Sequence, residues 1–281
     1  MIKIARKSDA PRPLPLRVKR RREKAAKIAA AIFAAFLLFL VAAFLSNLPS
    51  VRIASVEIEG VSAIPNEGLN QVISEELDGK YLGLFSKSNI LLYPRKELLA
   101  KVESAFKRIK SADFHMKNLT TVILSVEERK PAGFWCHSRG SDPLFSKNCY
   151  FLDESGFIFA PAPDFFGTTY LKFYGGVLGE PVGKNFLTPE SFGQINLFLS
   201  KLSLFKVKPI ELSVSGDGDY EIAIEGGGRI IVNPAKDLAV ALENLRVLLT
   251  QSELSKNQDF PLALDYIDLR YGNKVFYKLR E

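Results

Sequence analysis

The longest unbroken apolar stretch runs from Ile28 to Leu45, IAAAIFAAFLLFLVAAFL, with no charge between Lys27 and Arg52. It approaches the roughly 20 residues that cross a hydrocarbon core of about 30 Å. A secretory signal has a shorter core, about 7–15 residues, and a small-x-small cleavage site that AAFLSN does not supply. The run therefore predicts an uncleaved transmembrane helix over 28–48. Beyond it the pattern shortens. VRIASVEIEG alternates Ile53, Val56 and Ile58 with polar positions and stops at Gly60, a strand. IPNEGLNQVISEEL spaces Leu69, Val72, Ile73 and Leu77 as a helix behind a candidate Asn66 cap. YPRKELLAKVESAFKRI does the same with Leu98, Leu99, Val102, Phe106 and Ile109 behind Pro94. SADFHMKN and LTTVILSVEER are strand-like, with Val122, Leu124 and Val126 on one face. Residues 51–129 are thus expected to form a strand-helix-helix-strand-strand unit.

Residues 130–281 predict a second, mostly antiparallel β-domain with two helices. NCYFLDESGFIFA folds over Glu154-Ser155-Gly156 as a hairpin. LTPESFGQINLFLSKL is a helix capped by Thr188, with Pro189 at its first position and Phe192, Ile195, Leu199 and Leu202 inward. IELSVS, YEIAIE and RIIVN are strands joined by glycine-rich turns. NPAKDLAVALENLRVLLTQ is a helix with Leu238, Ala241, Leu242, Leu245 and Leu248 along one face. YIDLRYGNKVFYK alternates on both sides of Gly272-Asn273, which marks a hairpin. In its first arm Ile267, Leu269 and Tyr271 point one way and Asp268 and Arg270 the other; in its second, Val275 and Tyr277 oppose Lys274, Phe276 and Lys278. The fold class expected is α+β.

Charge sharpens this division. The net charge is +7, but residues 1–27 hold eleven Lys/Arg and two acids, a net +9, and the remainder is therefore −2. A basic excess confined to the leader argues against nucleic-acid binding by the larger part. It suits the cytoplasmic flank of a spanning helix, with everything after Ser46 outside the cytoplasm. The three prolines of APRPLPLR predict a disordered tail, which either holds anionic lipid or only orients the anchor. Cys136 and Cys149 would lie outside and flank a loop-like stretch; an oxidising compartment permits a disulfide between them. With His137 they make three ligands, one short of a structural zinc site, so no metal is expected.

Catalytic chemistry is not evident. His115 lies in a strand-like stretch, and His137 and Cys136, adjacent in a strand, face opposite ways. Gly216–Asp219 and Gly226–Gly228 precede strands and not helices, which suits turns better than phosphate or calcium loops. Glu127 and Glu128 are consecutive in a strand and do not converge. Asp268 and Arg270 share one face of one strand and pair there or form a solvated face. No enzyme activity and no cofactor are expected.

The motif order resembles the FtsQ/DivIB family of bacterial cell-division proteins. The features carrying the resemblance are the basic tail with a single anchor and the opening Ile53, Val56, Ile58, Gly60. They continue with Leu119, Ile123, Val126, Glu128, Arg129, Pro131 and Trp135, the Leu152-Asp153-Ser155-Gly156-Phe159 turn, and the ending DLRY. Asn118 stands where the family usually has proline. The resemblance implies a POTRA domain over 51–129 and a non-enzymatic scaffold in the bacterial cytoplasmic membrane, gathered at the division septum. It also implies that the last strand is completed by a small coiled-coil partner, FtsB or DivIC, accompanied by FtsL. Carried over by position, partner binding falls to Lys274, Val275, Phe276, Tyr277 and Lys278, supported by Tyr266, Asp268, Arg270 and Tyr271. A rival reading is a membrane-anchored POTRA chaperone or transport module that handles polypeptide in envelope assembly or secretion.

Overall fold

The structure is a computed structural model and describes residues 16–137, 148–163, 170–251, 260 and 262–280. The prolines of APRPLPLR and most of the loop between the two cysteines lie outside the described residues. The first helix, α1, spans Leu16–Ser46. Among the described residues it is the one helix long and apolar enough to cross a membrane, over Arg20–Ser46. After this helix the chain is mixed α+β, with one large, mostly antiparallel sheet.

The chain separates into two compact units. The first comprises residues 1–59, 65–102 and 113–125, the second 60–64, 103–112 and 126–281. After α1 come β1 (Ser55–Glu59), α2 (Asn66–Leu77), a short hairpin of β2 (Lys80–Tyr81) and β3 (Phe85–Ser86), α3 (Arg95–Ala105), β4 (Ile109–Met116) and β5 (Thr121–Glu128). Three strands form a sheet ordered β1-β5-β4, with β1 and β5 parallel and Ser55 opposite Thr121. The alternation in β1 and β5 and the helical spacing in α2 and α3 hold up: Leu69, Ile73, Leu98, Val102, Val122 and Leu124 are all buried.

Three details of this region differ from the sequence expectation. Asn66 is not the cap of α2. Pro65 holds that position in extended geometry, and its carbonyl accepts from the Leu69 amide. Helix α3 stops at Ala105; Ile109 keeps the helical spacing but already opens β4, after a turn closed by its amide on the Phe106 carbonyl. The β2–β3 hairpin, inserted between the helices, has arms of two residues, too short for an alternating pattern to register.

The second unit is built on a sheet that, among the described residues, has nine strands. They are β6 (Gly133–Cys136), β7 (Cys149–Leu152), β8 (Ile158–Pro161), β9 (Leu171–Tyr174), β10 (Pro209–Val214), β11 (Tyr220–Ile224), β12 (Arg229–Val232), β13 (Leu264–Tyr271) and β14 (Lys274–Leu279). Their spatial order is β14-β13-β12-β11-β10-β9-β6-β7-β8, antiparallel except where β6 meets β9, β9 meets β10 and β12 meets β13. Helices α4 (Pro189–Leu202) and α5 (Leu238–Gln251) contribute the other side of the core. Phe192, Ile195, Leu199 and Leu202 of α4 and Ala241 and Leu245 of α5 join Trp135, Leu152, Leu212, Ile222, Ile230 and Ile267 in one apolar cluster. Thr188 caps α4, its hydroxyl accepting from the Ser191 amide at 3.2 Å. The Gly216–Asp219 and Gly226–Gly228 stretches are turns, closed by Gly218 on Ser215 and by Gly227 on Ile224.

Candidate functional site

The C-terminal hairpin forms one margin of the large sheet. Strand β14 pairs with β13 and, among the described residues, has no second neighbour. Tyr271 opposes Lys274, so the turn consists of Gly272 and Asn273 alone. Gly272 has a φ of +65°, the left-handed value that a two-residue hairpin turn needs and that glycine supplies without a Cβ clash. The turn is tied to α5 by Asn244, whose side-chain amide donates to the Gly272 carbonyl at 2.6 Å. At the far end, Arg280 donates its backbone amide to the Ala263 carbonyl at 2.8 Å and its guanidinium to the Gly226 carbonyl at 3.0 Å. Val275 and Leu279 pack on the core. The strand is therefore fixed at both ends and along one face.

Its other positions are presented outward. Lys274, Tyr277 and Lys278 are exposed, and Phe276 is 50% exposed. Such a margin carries backbone N–H and C=O groups able to pair with an added strand, and lysines are the usual guard against unwanted pairing. Lys278 lies 3.8 Å from Asp265. The register shifts between Asp268 and Tyr271, and this re-aims Tyr271. It does not follow Ile267 and Leu269 into the core, as the simple alternation predicts. It is 56% exposed, with its ring edge-on to Phe276 at 5.4 Å. Two aromatic rings thus stand together at the turn end of the margin. Tyr266, opposite Lys278, is half-buried.

Beneath them lies a charged network. Asp268, directly opposite Phe276, is buried. It accepts from Arg270 Nε at 2.9 Å, Arg270 Nη2 at 2.6 Å and the Arg270 backbone amide at 3.1 Å. Arg270 also donates Nη1 to Asp219 at 2.9 Å, and Asp219 accepts from Asn233 at 2.8 Å. The guanidinium lies 5.6 Å from the centre of the Tyr271 ring. Burial would push the Asp268 carboxyl up, but the Arg270 hydrogen bonds outweigh it and hold it below the ordinary carboxylate range. Arg270, bonded to two carboxylates, is held more firmly protonated than a free arginine. Of the two sequence alternatives for Asp268 and Arg270, the structure has the pair. Asp219, Asn233 and Asn244 are supports that sequence reasoning missed. The sequence marks Asp219 only as a turn residue, and no periodic pattern links it to a partner 51 positions away.

The remaining sequence candidates lie elsewhere. Cys136 and Cys149 are register partners on β6 and β7, with Cα atoms 4.2 Å apart, and are joined by a disulfide. Their sulfurs are then unavailable as thiolate ligands. His137 packs against Trp135, and His115 faces Asp113 at 3.6 Å on an exposed surface. Among the described residues, no three His, Cys, Asp or Glu side chains gather as a metal site. Glu127 and Glu128 diverge. Glu127 pairs with Lys110 at 3.2 Å, whereas Glu128 accepts from the Ser62, Ala63 and Ile64 amides.

Comparison with known proteins returns no matching family model and no matching curated protein.

Proposed function

We propose that this protein is a membrane-anchored, non-enzymatic scaffold of the bacterial division machinery, of the FtsQ/DivIB type. In this reading α1 holds it in the cytoplasmic membrane with residues 1–27 inside, and residues 51–129 serve as its POTRA domain. Strand β14 takes up one strand of a small coiled-coil partner, an FtsB-like or DivIC-like protein arriving with an FtsL-like one. The motif order supports the family. The observation that carries the mechanism is β14 itself, a margin strand fixed at both ends with a half-exposed phenylalanine at its centre. A strand that is already ordered loses little conformational freedom on pairing. Main-chain hydrogen bonds then supply affinity, and the Phe276–Tyr271 pair gives side-chain selectivity. Aromatic anchors of this kind concentrate binding energy.

The test is a photo-crosslinking residue at Phe276 in living cells, with a matched control at the exposed Lys236. A small single-pass coiled-coil protein trapped at 276 and not at 236, together with a midcell distribution, is the expected result. A distribution around the whole envelope, with varied unfolded polypeptides trapped, would favour the chaperone or transport reading instead. No product at 276, with normal expression and membrane insertion, would overturn strand addition.

A further inference from the structure

The turn of the β2–β3 hairpin runs through Leu82, Gly83 and Leu84. Leu82 has a φ of +50° and is 89% exposed. A leucine gains nothing locally from the left-handed region, which glycine, asparagine or aspartate occupy at lower cost. Nor does burial within the protein compensate it. Tyr81, Leu84, Leu91 and Leu92 are exposed as well, so the hairpin and the segment after it present a run of large apolar side chains. Such surfaces mark interaction sites.

The position of the hairpin against α1 identifies what it meets. Asn47, just past the helix, donates its side-chain amide to the Leu84 carbonyl and to the Ala43 carbonyl, each at 2.7 Å. The Asn89 side chain donates to the Ser46 carbonyl at 3.1 Å. Phe85 meets Phe39 edge-on at 5.2 Å. Phe39 precedes Ser46 by seven residues, about 10 Å along the axis at 1.5 Å per residue. Ala43 and Ser46 are buried, whereas the large side chains of α1 are exposed. The hairpin backbone is therefore level with the last turn of α1, and its Phe85 ring reaches toward the middle of the uncharged run.

We propose that the Tyr81–Phe85 turn and the Leu91–Leu92 shoulder lie in the headgroup–acyl boundary of the same phospholipid bilayer that α1 crosses. The inference rests on reading α1 as a spanning helix. Interfacial elements bury their apolar groups about 5–10 Å deep, which matches a turn held beside the final helical residues. Tyrosine and lysine are the residues that favour this level, and the exposed Lys80 and Tyr81 immediately precede Leu82. Lipid burial of Leu82 offsets its unfavourable backbone. The first unit is then docked on the membrane at two points and does not swing freely from one helix.

Full-length protein in phospholipid nanodiscs tests this. Single-cysteine variants Leu82→Cys, Leu91→Cys and Phe36→Cys can each be labelled with an environment-sensitive fluorophore, because the native cysteines are joined to each other. Lipids carrying a quencher near the headgroup boundary should remove most of the emission at 82 and 91. A deep quencher should act on 36. Quenching at 36 with none at 82 and 91 overturns the proposal while leaving α1 in the bilayer. No quenching at 36 removes the spanning helix and the proposal with it. A photo-crosslinker at 82 that captures another membrane protein in cells, with no lipid quenching at 82, assigns the turn to a protein partner and also overturns the proposal.

Discussion

Glu128 and Arg129 adjoin in sequence and act on different segments of the second unit. Burial would raise the Glu128 carboxyl, but the Ser62, Ala63 and Ile64 amides converge on it and hold it below the ordinary range. The same balance holds for Asp153. Burial there is outweighed by bonds from Ser155, from Arg129 and from the Phe157 amide, while the Arg129 guanidinium lies 4.1 Å from the Phe157 ring centre. Asp268 is the third such carboxylate. A carboxyl whose folded pKa is depressed contributes stability that is present above its unfolded pKa, near 4, and lost as pH falls through the folded value. Stability should therefore decline below about pH 4. Arg270→Ala isolates one part of this, leaving Asp268 and Asp219 without their shared cation. Removing one partner of a fully buried pair costs about 3–5 kcal/mol. The Arg270 side chain is 32% exposed, so a loss of about 2–3 kcal/mol at neutral pH is expected in urea unfolding. The difference from the parent protein should narrow as pH drops below about 4 and Asp268 protonates. A difference independent of pH would show that packing, and not charge, is what Arg270 contributes.

The last hairpin combines a conformational requirement with an exposed face proposed here to bind a partner, and the two can be separated by mutation. A Cβ at Gly272 would meet nothing within 4 Å, so Gly272→Ala carries only the left-handed backbone cost, about 1–2 kcal/mol. Amide exchange along β14 should rise accordingly. Phe276→Glu sets a second carboxylate directly opposite the buried Asp268 and removes the edge-on contact with Tyr271. A stability loss of about 1–2 kcal/mol is therefore expected, with the protein still folded and the proposed partner no longer captured. An unfolded Phe276→Glu protein would mean the ring is structural. This hairpin was legible because both arms alternate around a two-residue turn. Helices α4 and α5 were legible because their apolar residues recur at three and four positions. Strand β9 was not: Leu171–Tyr174 is four residues long, and its neighbours β6 and β10 are remote in sequence. A short strand between parallel neighbours leaves no local signature. The Tyr271 direction was missed because strict alternation cannot anticipate a register shift. The place of Ile109 was missed because a helical spacing can continue past the residue where the helix ends. At the candidate site the strand and its exposed side chains could be read from the sequence, whereas Asp219, Asn233 and Asn244, which hold it, are recruited by the fold.

At the scale of the whole chain, charge and cysteine chemistry bear on the same question: on which side of a membrane the sheets lie. The leader has a net +9 before an uncharged apolar run, and the remainder is −2. Lys and Arg beside a spanning helix are retained on the cytoplasmic side. The Cys136–Cys149 disulfide, closing a loop of sequence separation 13, persists in an oxidising compartment. A loop of that size contributes about 3 kcal/mol, so Cys136→Ser with Cys149→Ser should lower the urea midpoint measurably. In the proposed orientation, with residues 1–27 in the cytoplasm, the disulfide should depend on which side the sheet occupies, and one experiment reads both. Replacing Arg17, Lys19, Arg20, Arg21 and Arg22 with Gln removes five of the eleven basic residues that precede the uncharged apolar run. At roughly 1 kcal/mol for each charge held near an anionic leaflet, this should let a fraction of molecules insert inverted. In the parent protein carrying Leu204→Cys, a membrane-impermeant thiol reagent applied to spheroplasts should label residue 204, and the native cysteines should stay unreactive after lysis. In the neutralised variant, the fraction protected at 204 should equal the fraction whose Cys136 and Cys149 react once the cells are opened. Inverted molecules expose both cysteines to the reducing cytoplasm. Protection at 204 without free native thiols would break that coupling and show that the disulfide forms independently of which side the sheet occupies.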